Sequence, residues 1–288
     1  MNNPTLTIIA PLKNWGGIEK EVLILSKEIL TQDIDIELVL VRGGQVPYPE
    51  QFPHEVKIVD LQTSTKLSSV FKLTGYLKRK KPKVLLTAKD HAAKSAVLAT
   101  RLSGTYVPVY HKVTNTLSQT LRRPVKRLFA RVLYSWTSKI IANSKGVKDD
   151  MVTNLGMDPE GIEVIYNPVL TPDISQRLES APDHPWLTEK DVPVIMGVGR
   201  ITASKDFITL LQAFAQLRQY RSCRLIILGE GPERESIESK AKELDLQADV
   251  DLPGYVFDPL PWMAYSDVFV LSSRYEGLSN VLIEALAA

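Results

Sequence analysis

Leu6-Thr-Ile-Ile-Ala10, a helical pattern over Ile18–Leu30 and Ile34-Asp-Ile-Glu-Leu-Val-Leu-Val41 open the chain in the order strand, helix, strand. Runs of β-branched and apolar residues alternating with helical periodicity are βαβ grammar, the pattern of an α/β protein with a parallel sheet. The pattern continues through strands expected at Val56–Leu61, Val84–Thr87, Val107–Tyr110, Lys139–Ala142 and Glu163–Tyr166, with helices between most of them. Residues 1–168 therefore read as one doubly wound domain. Prolines 168, 172, 182, 185 and 193 punctuate a stretch with little periodicity, so residues 169–192 read as an interdomain linker. The alternation restarts with a strand at Pro193–Gly199, a helix at Phe207–Tyr220, a strand at Arg224–Gly229 and a helix at Arg234–Leu246. Strands at Val250–Leu252 and Asp267–Leu271 complete a second domain over 193–288.

The bulk composition narrows the class. At 288 residues, 44% hydrophobic and 24% charged, the chain suits two soluble globular domains. No apolar run reaches the ~18 residues of a membrane span, and the amino terminus lacks the basic region of a signal peptide, so a cytoplasmic protein is expected. The single cysteine, Cys223, excludes an intrachain disulfide and reads as a buried, inert thiol in a strand pattern. Net charge is only +2, yet residues 1–170 hold 24 Lys+Arg against 15 Asp+Glu, whereas residues 171–288 hold 11 against 18. The halves are thus +9 and −7, which suits different partners for each.

Candidate chemistry gathers where strands end. Glu276-Gly-Leu-Ser-Asn-Val-Leu-Ile-Glu284 follows the Asp267–Leu271 strand. On one continuous helix its two acids would sit about 80° apart, so a shared face is not the point. Gly277 offers the break: Glu276 reads as a loop residue, Ser279 or Asn280 as the helix cap, and Glu284 as about one turn inside. Free backbone amides at such a helix start hold phosphate, and flanking carboxylates suit sugar hydroxyls. Gly197-Val-Gly-Arg-Ile-Thr-Ala-Ser-Lys205 places Arg200 and Lys205 in a similar loop, either as diphosphate ligands or as solvated charges with Lys205 offset by Asp206. Leu228-Gly-Glu-Gly-Pro-Glu-Arg234 has Arg234 where a dinucleotide fingerprint needs its third glycine, which disfavours a dehydrogenase. Gly229 and Gly231 instead suit a turn that a ligand approaches closely. Leu252-Pro-Gly-Tyr-Val256 is a further strand-end turn whose backbone could meet a nucleobase.

In the first domain, Trp15-Gly16-Gly17 joins the first strand to the first helix, as a loop that reaches a ligand or as a plain turn. His91 and His111 are expected near strand carboxyl ends, as polar or proton-handling groups or as satisfied structural side chains. No spacing suggests a metal site. Lys78-Arg-Lys-Lys-Pro-Lys83 and Arg122–Arg131 are basic tracts. In the second, Arg123, Arg127 and Arg131 share one helical face and Leu128, Val132 and Trp136 another. Such a helix could rest on an anionic membrane leaflet or pack its apolar face into the core. Nothing accompanies the charge that would mark a nucleic-acid module.

Taken together, Gly16-Gly17, Ala142-Asn-Ser144, Ile165-Tyr-Asn-Pro168, Gly199-Arg200 with Lys205, Gly229-Glu-Gly-Pro232, Pro253-Gly254 and the Glu276/Glu284 pair resemble glycosyltransferase family 4. The likeness covers nearly the whole chain. It implies the GT-B fold: two Rossmann-like parallel-sheet domains facing a cleft, with acceptor bound to the first and a nucleotide-diphosphate sugar chiefly to the second. It further implies that Arg200 and Lys205 hold the diphosphate, Glu284 the ribose and Glu276 the transferred sugar. The Leu278 and Ser279 amides would add donors to phosphate, and the backbone around Tyr255 would meet the base. The implied reaction retains anomeric configuration, usually without metal or other cofactor. It moves a sugar, with a UDP-sugar as the expected donor, to a saccharide or lipid-linked acceptor in surface polysaccharide synthesis at the cytoplasmic face of a membrane.

The departures are specific. Thr114, not histidine, precedes Asn115-Thr116, and His111 lies three residues earlier. Relatives continue beyond the position of Ala288 with another strand and helix, so the second domain is expected to be incomplete, and an extended version to be more stable and more active. A noncatalytic nucleotide-sugar or membrane-binding remnant, and a nucleotide-sugar epimerase or phosphorylase, are the competing expectations.

Overall fold

The computed structural model describes residues 6–12, 16–41, 48–121 and 123–288. Met1–Thr5, Trp15 of the glycine loop and Arg122 of the second basic tract lie outside the described residues. The chain divides into two units, Met1–Pro168 and Val169–Ala288.

In the first unit the elements run β1 (Leu6–Ala10), α1 (Gly17–Leu30), β2 (Ile36–Leu40), β3 (Lys57–Asp60), α2 (Lys66–Lys80), β4 (Val84–Ala88), α3 (Asp90–Ser103) and β5 (Val109–Val113). They continue with α4 (Leu117–Thr120), α5 (Pro124–Tyr134), β6 (Lys139–Ala142), α6 (Lys145–Leu155) and β7 (Ile162–Val164). The strands form one parallel sheet in the order β3-β2-β1-β4-β5-β6-β7. The central strands are apolar on both faces because helices cover both. Val22 and Leu23 of α1 pack with Ile8, Leu38 and Leu40, whereas Leu73 and Leu77 of α2 and Ala96 of α3 pack with Ile9, Val39 and Leu85. Helix ends follow local chemistry. Thr65 and Ser68 form a reciprocal capping box on α2, and α3 and α6 stop at Gly104 and Gly156, both in the left-handed region that glycine enters without a Cβ penalty.

In the second unit the elements are α7 (Ile174–Leu178), α8 (Pro185–Thr188), β8 (Val194–Val198), α9 (Phe207–Arg218), β9 (Arg224–Leu228), α10 (Arg234–Glu243), β10 (Val250–Gly254), α11 (Leu260–Ala264), β11 (Val268–Phe269) and α12 (Asn280–Ala287). Its parallel sheet runs β10-β9-β8-β11. Phe207, Leu210 and Phe214 of α9 and Ile237 of α10 bury one face, and Leu187, Met263, Val281 and Ala285 the other.

Three expectations need correction. Residues 169–192, read as a linker, cluster with the second unit and carry α7 and α8; Leu187 is core, and Arg177 binds Asp258 through two hydrogen bonds of 2.6 and 2.8 Å. The last strand is two residues rather than five, although ladder bonds from Asp267 N to Val194 O and from Val270 N to Met196 O flank it. β5 spans Val109–Val113 rather than Val107–Tyr110, so His111, opposite Thr87 and Ile140, stands two residues before the strand's carboxyl end. Cys223, directly before β9, is a buried free thiol as expected, and burial pushes its pKa up.

Candidate functional site

Both sheets reverse their strand order once, between β1 and β4 and between β8 and β11. In open parallel sheets the strand carboxyl ends at such a switch point form a ligand crevice. The two loops at this point in the second unit hold the candidate residues.

Close backbone stacking shapes the floor. Gly199 N donates to Leu228 O, Gly229 N to Gly254 O and Ile201 N to Glu230 O, at 2.9, 2.7 and 2.9 Å. A Cβ on Gly229 would sit 2.0 Å from Gly199 O, and one on Gly231 2.1 Å from Ile201 O. Only glycine lets the turns after β8 and β9 lie this close, so both residues have a definite steric reason.

Above this floor the loops after β8 and β11 are laced together. The Lys205 chain lies over Gly199, and its Nζ pairs with Glu276 Oε1, which also accepts a hydrogen bond from Ser273 Oγ at 2.7 Å. Ser272 Oγ donates to Lys205 O at 2.7 Å, Arg274 N to Ser204 O at 2.8 Å, and Arg274 Nε to Asp206 Oδ2 at 2.9 Å. The expected offset of Lys205 by Asp206 is thus replaced by two pairings that cross the switch point. Arg200 is exposed, and its side chain makes no hydrogen bond or ion pair among the described residues.

Ser279 stands at the N-cap of α12, but its side chain does not cap; its Oγ is buried without a hydrogen-bond partner among the described residues. At the helix start Leu282 N and Ile283 N both donate to Ser279 O, at 3.2 and 3.3 Å. Leu278 is half-buried, and Tyr255, 38% exposed, follows β10. Glu284 is buried in α12. Asp258, with smaller contributions from Asp173 and Glu284, raises the Arg177 pKa.

The first unit holds a second polar cluster. A pocket of about 350 Å³ is lined by residues that include Lys89, Asp90, His91, His111, Lys112 and Thr114. His111 is 1% exposed; its Nδ1 lies 3.0 Å from Thr87 Oγ1, and its ring packs at 4.7 Å against that of Tyr134. Burial pushes its pKa down to about 4 against the opposing field of Asp90, so at neutral pH it is an uncharged imidazole and a weak base. Burial works against the Asp90 carboxylate, but hydrogen bonds from Lys94 and Tyr134 outweigh it and hold its pKa below the ordinary value. Lys89 pairs with Glu19 at 3.2 Å, and the buried Lys112 pairs with Glu21; both acids belong to α1, just beyond Gly16 and Gly17. Among the described residues no cluster of His, Cys, Asp and Glu could hold a metal ion, and no helix is long and apolar enough to cross a membrane.

The structure joins Lys205 to Glu276 and stacks the Gly199–Ile201 turn on Gly229 and Gly231, with the Arg200 side chain exposed; His111 belongs to the other unit. Arg274, Ser272, Ser273 and Arg177 were missed. The first three lie in the unpatterned loop before Glu276 and Arg177 in the presumed linker, so only the cation in each carried a signal.

Two doubly wound parallel units, each with its polar cluster at strand carboxyl ends, define a GT-B architecture. A solved GT-B structure, Anabaena Alr3699/HepE in complex with UDP and glucose, superposes with a TM-score of 0.79 over 99% of this chain and 78% of that one, at 20% identity. Residues 15–171 match the family described as Glycosyltransferase Family 4, and residues 183–288 that described as Glycosyl transferases group 1. The chain belongs to glycosyltransferase family 4. It is 35% identical over 163 residues, 57% of its length, to a Campylobacter jejuni N-acetylgalactosamine-N,N'-diacetylbacillosaminyl-diphospho-undecaprenol 4-alpha-N-acetylgalactosaminyltransferase. It is 35% identical over 151 residues, 52% of its length, to the lipopolysaccharide core biosynthesis glycosyltransferase LpsE of Rhizobium meliloti. The matched stretch spans 42% of each relative.

Proposed function

We propose that this chain is a retaining glycosyltransferase that moves a sugar from a UDP-sugar to a saccharide or lipid-linked acceptor in surface polysaccharide or lipopolysaccharide synthesis. It would do so at the cytoplasmic face of a membrane and without a metal cofactor. The observation that carries the reading is the Lys205–Glu276 pair, which spans the β8 and β11 loops over a floor of glycine turns. An incoming diphosphate exchanges places with Glu276 as the partner of Lys205. The freed carboxylate then accepts hydrogen bonds from the sugar hydroxyls, while Glu284 takes the ribose and the backbone near Tyr255 the base.

In the reaction the bond between the anomeric carbon and the departing phosphate oxygen breaks, and the acceptor oxygen bonds to that carbon on the same face. The acceptor proton passes to the phosphate. Arg200, Lys205 and the Leu278 and Ser279 amides stabilise charge that grows on the leaving diphosphate, so they bind the transition state better than the ground state. On this reading the first unit, with Gly16 and Gly17 at its rim, binds the acceptor, and His111, neutral at pH 7, offers hydrogen bonds rather than a general base.

Calorimetry with UDP beside a donor-hydrolysis assay tests the reading. It predicts UDP binding that weakens in Lys205→Ala, and slow donor hydrolysis. Binding without turnover for any nucleotide sugar would favour the noncatalytic alternative, and no UDP binding at all would overturn the assignment.

A further inference from the structure

The outward face of α5 is apolar. Val125, Leu128, Phe129 and Val132 recur at the i, i+3, i+4, i+7 spacing of one helical stripe, and Trp136, just past the helix end, extends it. They are 79, 62, 54, 44 and 42% exposed. The core-facing side is already occupied by Ala130, Leu133 and Tyr134, so this is a second apolar face, the reverse of the arrangement in which Leu128, Val132 and Trp136 pack inward. Arg127 is not among its cations: Nε and Nη2 donate to Leu121 O and Ser118 O at 2.8 and 3.2 Å, which ties α5 to α4. Arg123, Lys126 and Arg131 are exposed around the stripe, and the Arg101 guanidinium lies 4.9 Å from the Trp136 ring centroid.

The charge around the stripe says what covers it. No Asp or Glu occurs between Asp90 and Asp149, a stretch with eleven Lys and Arg. A second copy of the chain would set one cationic helix against another. A nucleic acid would satisfy the cations but leave five apolar side chains in water. A bilayer with anionic headgroups satisfies both, since the apolar stripe enters the acyl boundary while Lys and Arg side chains reach back to phosphates.

We infer that α5 is a monotopic docking helix for an anionic lipid surface, with Val125, Leu128, Phe129, Val132 and Trp136 entering the leaflet and Arg123, Lys126 and Arg131 on its headgroups. This deepens the proposed reading by naming the surface through which a lipid-linked acceptor is reached. Its test is independent of transfer.

Co-sedimentation of the full chain with vesicles of 30% phosphatidylglycerol in phosphatidylcholine, against phosphatidylcholine alone, measures docking. The expected result is at least tenfold tighter binding to the anionic vesicles, weakened at least tenfold by Leu128→Asp with Phe129→Asp, and by 0.5 M salt or by Arg123, Lys126 and Arg131→Gln. UDP affinity, measured in parallel, reports on the nucleotide site, so a failure of the transferase reading is distinguishable from a failure of docking. Because the substituted side chains are exposed, circular dichroism is expected to be unchanged. A blue shift of tryptophan emission on vesicle addition, absent in Trp136→Phe, gives a second readout. Equal binding by wild type and the Asp variant, binding to RNA rather than vesicles, or a solution dimer dissolved by the Asp variant would each overturn the inference.

Discussion

Lys112→Met is expected to be the most damaging single change in the first unit. Lys112 lies in β5 and Glu21 in α1; their side chains are 7 and 5% exposed, and they form an ion pair. Removing one partner strands the other charge in the interior, which costs about 3–5 kcal/mol, whereas replacing both by apolar side chains is often neutral. In a unit the size of Met1–Pro168 a kcal/mol is worth roughly 2–4 °C, so the single variant should melt about 6–20 °C lower. Burial already raises the Glu21 pKa despite the opposing pull of Lys112, and losing Lys112 raises it further. A carboxyl with its folded pKa above its unfolded pKa favours folding in acid and loses that contribution as pH rises through the folded value. The deficit against wild type should therefore be larger at pH 8 than at pH 5. Circular dichroism melts at both pH values, with Glu21→Met/Lys112→Met as the control, decide the matter. A drop below 2 °C, a deficit independent of pH, or a double variant as unstable as the single would refute the reasoning.

Arg200→Ala should leave the melting temperature within about 1 °C because the side chain is exposed, while kcat/KM for transfer falls about 10²–10³-fold, as when one oxyanion donor is lost; unchanged turnover would remove Arg200 from the site. Gly231→Ala drives a Cβ to 2.1 Å from Ile201 O, so it should cost about 1–3 kcal/mol in stability and weaken UDP binding together, as read by thermal shift with and without UDP. His111 should titrate in NMR near pH 4 rather than at the ordinary 6.5. Because its folded pKa is depressed, its contribution to stability is complete above the ordinary value and is lost as pH falls toward 4; a midpoint near 6.5 would contradict the burial seen here. Cys223 should resist thiol reagents until the protein is denatured; modification of the native chain at the denatured rate would show that burial does not protect it.

The sheet architecture was legible because a fully covered strand such as Leu6–Ala10 needs an unbroken apolar run and a helix such as α1 a 3.6-residue stripe, and each leaves its period in the chain. Glycines 229 and 231 were legible as turn residues, though not as the steric contact that requires them. What periodicity hides is direction and distance. On α5 both faces carry apolar residues, and the pattern alone cannot say that Leu133 points into the core and Leu128 into solvent. Lys205 and Glu276 stand 71 positions apart, and only the β8–β11 pairing brings them together. Arg177 went unread because proline-rich chain looks like connection when it is short helices pinned by one bidentate ion pair. The candidate site thus combines groups visible as types with a geometry set by long-range strand order. Substitutions that leave every candidate side chain in place but shift the β11 loop, such as Ser272→Val, should separate the two. Losing the hydrogen bond from Ser272 Oγ to Lys205 O is expected to cost only about 0.5–1.5 kcal/mol in stability, yet to weaken UDP binding by loosening the alignment of Lys205 with Glu276. UDP affinity equal to wild type in that variant would mean that the cations bind the nucleotide without the lacing.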